Sequence, residues 1–174
     1  MFLQNTHHLQ GSLLDPEQNL NSTLRGVLKN NWSQTFYEKI FKNINEKDFR
    51  CLYHPVFGRS NFPVNILVAI EIIKEMYSLT DEQLYENYQF NYLYQKVLGV
   101  DDINRYSFAI RTMYHFRENY CEYEERTGIN LFDRVFQDSR DAIIEELGLK
   151  NSTQRIDSVM WCEYQADESP NVIL

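Results

Sequence analysis

The sequence predicts a mainly helical domain followed by a single strand. Three observations carry this. The segment Val64–Tyr77 is apolar on almost every face and opens with Pro63. Only six Gly and four Pro occur in 174 residues, so long stretches run without a helix breaker. Residues 153–160 then change pattern, alternating and rich in β-branched side chains, which is how a strand reads.

Residues 1–30 form a polar, Asn-rich, partly ordered segment, and residues 31–150 the helical domain. Ser33 caps a first helix running to about residue 43. Along it Trp32, Phe36 and Ile40 recur every four residues, with Tyr37, Phe41 and Ile44 as the adjacent row. Residues 53–63 read as a loop. Pro63 opens the next helix where its missing N–H costs nothing. A helix apolar all round (Ile66, Leu67, Val68, Ile70, Ile72, Ile73, Met76) belongs at the centre of a core.

Thr80 with Gln83 makes a capping box, and Leu84, Tyr85 and Tyr88 supply the inner face of the helix it starts. Residues 92–98 read as a short helix stopped by Gly99, with Asp101 and Asp102 in the connection. Ser107 caps a long aromatic helix, residues 108–126, ended by Gly128. Asn130 caps a last helix bearing Leu131, Val135, Ile143, Ile144 and Leu147, with Gly148 as its stop. The strand, residues 151–160, has no partner in the chain and reads as the first strand of a missing domain.

Composition narrows the function. A hydrophobic fraction of 43% and an aromatic fraction of 14% suffice for a real core. The net charge of -8 counts against nucleic-acid binding, because phosphate contacts call for Lys and Arg, so any such binding rests on a local basic face. Cys51, Cys121 and Cys162 are odd in number and lack a C-x-x-C pair, so they imply no zinc site and no disulfide framework and suit a reducing cytoplasm. Cys51 and Cys121 read as small core fillers. His7, His8 and His54 read as exposed or loop residues, and the twelve Tyr as core and interface material. There is no signal peptide and no apolar run long enough to span a membrane.

Three segments carry a resemblance. The first is Gly58-Arg59-Ser60-Asn61-Phe62-Pro63-Val64-Asn65-Ile66-Leu67 with Tyr77-Ser78-Leu79-Thr80-Asp81-Glu82-Gln83-Leu84. The second is residues 106–117, continuing through Tyr123-Glu124-Glu125-Arg126-Thr127-Gly128. The third is Gly148-Leu149-Lys150 with Thr153-Gln154-Arg155-Ile156-Asp157-Ser158-Val159-Met160. In order and spacing they resemble the amino-terminal part of bacterial insertion-sequence transposases of the DDE class, of the insertion-sequence five/four type, over roughly residues 50–160. Ser60 departs from the family, which usually has a second Pro in its Gly-Arg-Pro loop.

The resemblance implies a helix-turn-helix-like helical domain followed by the start of an RNase H-like catalytic domain. It also implies that Asp157 is the first of three carboxylates that hold two Mg²⁺ ions in intact members. On its strand Asp157 faces away from Ile156 and Ser158. Without the resemblance it would read as a strand-end Asp with no role. One ligand of three does not hold a metal pair, so Asp157 is expected to be vestigial, and the chain to need no cofactor and to be no enzyme.

After Met160 the likeness stops, and residues 161–174 are acidic and polar. Reading the possible codons one base later turns the Trp161–Cys162 junction into glycine and the Gln165–Ala166 junction into lysine or arginine. Small residues, then isoleucine, then basic residues are what the family leads one to expect there. The tail therefore reads as a frameshift product of a truncated transposase frame.

For DNA contact the candidates are Arg105, Arg111, His115 and Arg117, on or near the long aromatic helix, set to straddle phosphates in a major groove. The same face also reads as a solvated surface with ion pairs to Glu118 and Glu122. Two function classes stay open. One is a DNA-binding module for the element's terminal inverted repeats. The other is an interaction module, either a homo-oligomerising domain or a dominant-negative partner of intact transposase. A decayed product without a selected role is a third.

Overall fold

The computed structural model describes residues 1–6, 19–100 and 106–147. Every regular element among them is helical: α1 (Ser22–Lys29), α2 (Trp32–Lys39), the short 3₁₀ helices η1 (Phe41–Asn43) and η2 (Glu46–Leu52), α3 (Val64–Tyr77), α4 (Asp81–Phe90), α5 (Tyr92–Val97), α6 (Arg111–Thr127) and α7 (Leu131–Leu147). The expected strand at residues 151–160 and the tail at 161–174 lie outside the described residues, as do Arg105, Asp157, Cys162, His7, His8 and the Gly148 stop.

α3 is the central helix, as its composition requires. Every residue from Val64 to Ile73 is buried, and each large aliphatic side chain so placed contributes about 1.5–3 kcal/mol through removal from water. Only its last turn, with Met76 and Tyr77, reaches the surface. Around α3 the aromatic side chains organise the packing. Trp32 of α2 lies against Phe36, Tyr77 and Tyr94, which seats α2 beside α5. Phe132 of α7 meets Phe49, Phe116 and Tyr120, so α7 closes over η2 and α6.

The caps follow local chemistry. Thr80 and Gln83 exchange side-chain and backbone hydrogen bonds in a full capping box. Gly128 ends α6 at φ +68, a left-handed backbone that Gly adopts without strain. Asn130 accepts from the Asp133 N–H at the start of α7.

α3 is different, because Pro63 offers no side-chain cap. The Glu46 carboxylate fills the gap, accepting from the Val64 N–H at 3.2 Å and the Asn65 N–H at 3.5 Å. Its other oxygen accepts from the Asn5 N–H at 2.8 Å, and this ties the amino-terminal residues into the domain. A negative charge at a helix start also complements the macrodipole.

The structure departs from the sequence reading in four places. α6 begins at Arg111 rather than after Ser107. Phe108 is drawn into the core against Phe62, Tyr85 and Tyr88, and the Tyr85 hydroxyl donates to its carbonyl at 2.8 Å, so the chain there stays out of the helix. Residues 33–43 are split into α2 and η1, and Asn31 rather than Ser33 is the cap of α2. Residues 22–29 form a regular helix capped by Asn21, with Leu28 buried. Cys51 is exposed instead of filling the core, whereas Cys121 packs partly buried against it.

Candidate nucleic-acid interface

α6 buries Met113, Phe116 and Tyr120 at spacings of three and four, and this fixes which residues face outward. Arg111, Tyr114, His115 and Glu118 are exposed on the opposite side. Arg111 Nε donates to His115 Nε2 at 3.2 Å, and His115 Nδ1 lies 2.8 Å from Glu118 Oε2. A neutral imidazole protonated on Nδ1 satisfies both contacts. Of the candidate residues, the structure brings Arg111 and His115 together at the first turns of α6.

Arg117 is turned the other way. Its guanidinium is largely buried, with 16% of the side chain exposed. Nε donates to Glu71 Oε1 at 2.9 Å, and both Nη atoms donate to the Asp81 carboxylate at 2.7 Å. Lys74 Nζ completes the group, 2.8 Å from Asp81 Oδ1. Two acids and two bases from α3, α4 and α6 thus form a neutral cluster. Burial pushes the Asp81 carboxyl up, but hydrogen bonds from Arg117 and Lys74 outweigh it and hold the group at about 2. Burial pushes the Glu71 carboxyl above the ordinary carboxylate range, with Arg117 opposing. Such an arrangement binds three helices in one geometry and occupies Arg117 from within the domain.

Sequence reasoning missed Glu71, Lys74, Asp81 and the capping Glu46. One signal was available. An acid inside a helix apolar on all faces has to be paired, and Glu71 is such an acid.

The charge over the described surface is uneven. On the second half of α6, Glu122 and Glu125 are exposed, with Glu124 between them. Over residues 39–63, by contrast, five Lys and Arg stand against two acids, Glu46 and Asp48. Glu46 is buried, and Asp48 is met by Asn45 and Arg134.

A family model described as a transposase domain (DUF772) matches residues 27–119, more than half of the chain. The chain belongs to this transposase-domain family. No curated protein and no solved structure matches it.

The matched stretch of the transposase domain takes in α2 through α5, the 53–63 loop and the first turns of α6 with Arg111, His115 and Arg117. It ends before the acidic half of α6. Among the described residues, no group of three His, Cys, Asp or Glu side chains could hold a metal ion, and no helix is long and apolar enough to cross a membrane.

Proposed function

We propose that this transposase domain binds duplex DNA, as the amino-terminal module of an insertion-sequence protein of the DDE class. The observation that carries the reading is the exposed Arg111–His115 pair on the first turns of α6, a helix held from beneath by Arg117. A cation on a rigid helix meets phosphate at low entropic cost, because the helix is already fixed before contact. The acids Glu118, Glu122 and Glu125 confine the contact to the amino-terminal end of α6. In this reading Arg117 is a positioning residue rather than a phosphate contact.

Asp157 is then the counterpart of the family's first metal-binding carboxylate. Mg²⁺ chemistry of the family's kind needs further carboxylates beside it. No step is assigned to Asp157.

A second reading, an interaction or dimerisation module that pairs with intact transposase, is favoured by the net charge of -8. An electrophoretic shift assay at low salt with the element's terminal inverted repeat separates the two. A shifted complex weakened by Arg111→Ala supports DNA binding. No shift at micromolar protein, together with a dimer in sedimentation, supports the interaction module.

A further inference from the structure

A second surface carries the cations that α6 lacks. In η2 three residues make one turn, so Lys47 and Arg50 stand on one ridge, about 6 Å apart along the axis. The same spacing buries Glu46 and Phe49 and leaves both cations exposed. The chain then runs without a break into the loop that carries His54, Pro55, Val56, Phe57, Gly58 and Arg59, all exposed. Lys47, Arg50 and Arg59 form no ion pair among the described residues.

The tip of this loop is apolar and built to hold a shape. Phe57 is 73% exposed and Val56 66%. His54 Nδ1 accepts from the Val56 N–H at 3.2 Å and the Phe57 N–H at 2.9 Å. The Met1 ammonium donates to the Arg59 carbonyl at 2.9 Å and reaches the Phe57 carbonyl at 3.4 Å. Asn61 pairs with the backbone of Leu3 in both directions. Gly58 turns the chain at φ +104, where a side chain would be strained. The loop therefore presents an aromatic ring to water between a histidine and an arginine, and folding gains nothing from that ring's exposure.

We propose that η2 and the loop after it form a second duplex-DNA contact. Lys47, Arg50 and Arg59 meet phosphates, and Val56 and Phe57 lie against sugars or base edges in a groove. The proposal rests on the DNA-binding reading above and moves most of the electrostatic contact from α6 to this strip. Charge complementarity selects the partner. In a chain of net charge -8, these are exposed cations free of acids among the described residues, and DNA offers a dense row of phosphates. Apolar side chains that wedge beside bases, flanked by cations on the backbone, are a recurrent mode of duplex binding.

The test is fluorescence anisotropy of the full chain on a labelled mixed-sequence duplex at low salt. It compares wild type, Arg111→Ala, Phe57→Ala, and the triple variant Lys47→Glu, Arg50→Glu, Arg59→Glu. A triple Gln variant serves as the milder control, and circular dichroism verifies helix content. The triple Glu variant is expected to bind at least tenfold more weakly, with the salt slope reduced by about 3, close to one unit for each phosphate no longer neutralised. Phe57→Ala is expected to bind a few fold more weakly with the slope unchanged. Wild-type affinity and slope in both triple variants, with Arg111→Ala impaired, would overturn the proposal while leaving the α6 reading in place. No duplex binding by the wild-type chain would overturn both.

Discussion

The Arg117 guanidinium of α6 meets the Asp81 carboxylate of α4 edge to edge, each Nη donating to a separate oxygen at 2.7 Å. Its Nε is left to donate to Glu71 on α3. One side chain thereby sets the distances among three helices. The consequence is an asymmetry in what each substitution costs. Arg117→Ala leaves the buried Glu71 carboxylate without its counter-charge and is expected to cost about 3–5 kcal/mol. For a domain of this size that is a fall in Tm of roughly 10–20 °C. Arg117→Lys loses the paired geometry and recovers only part of the stability. Glu71→Gln removes a charge whose burial already opposes it and is expected to be much milder. Thermal melts of the three variants check the order.

The pH dependence has two opposite signs. Asp81 is held at about 2, below its ordinary 3.8. The unfolded chain therefore takes up that proton first as pH falls, and the contribution present above about pH 4 is lost between 3.8 and about 2. Asp81→Asn should be less stable than wild type at neutral pH, and the difference should vanish near pH 2. Burial raises Glu71 and Glu46 above 4.5. Their contributions are complete below 4.5 and diminish as pH rises through the folded-state values. Glu71→Gln should therefore gain on wild type as pH rises above that range. Urea unfolding over a pH series reads both effects.

Ile70, 1% exposed at the middle of α3, marks the core. Ile70→Asp buries an unpaired charge and is expected to unfold the domain, a loss of several kcal/mol. Ile70→Val should cost about 1 kcal/mol. Equal melting of wild type and Ile70→Asp would mean that α3 is not the centre of the fold.

Local chemistry made much of this fold legible. The apolar run of α3, the Thr80–Gln83 box and the stop at Gly128 each rest on neighbours in sequence, and each stands where it was expected. Long-range packing hid the rest. Phe108 is claimed by Phe62, Tyr85 and Tyr88, and this overrides the cap offered by Ser107. Cys51 lies outside because η2 turns every three residues, so Glu46, Phe49 and Leu52 face inward. Within the candidate site, the spacing of Arg111 and His115 placed them correctly on one face. Arg117 follows Met113 by four residues and precedes Tyr120 by three, so periodicity already turns it inward; what stayed hidden are its partners, acids 46 and 36 residues away.

We propose that Asp157 by itself does not support phosphodiester cleavage. Two-metal phosphodiester chemistry needs several carboxylates converging on ions about 4 Å apart. Supercoiled plasmid bearing the element's ends, incubated with Mg²⁺ or Mn²⁺, should stay intact with both wild type and Asp157→Ala. Cleavage by wild type that disappears in Asp157→Ala would show that a second chain completes the site.

This acidic chain is expected to bind DNA through a few exposed cations, Arg111 on α6 and Lys47, Arg50 and Arg59 on the strip formed by η2 and its loop. The most direct measurement is the affinity of the wild-type chain for a duplex carrying the terminal repeat, between roughly 50 and 200 mM salt. Contacts from Arg111, Lys47, Arg50 and Arg59 predict a straight log–log plot with a slope of about -3 to -4, since each phosphate contributes about 0.9. Affinity that does not change with salt, or no binding at the lowest salt, would contradict it.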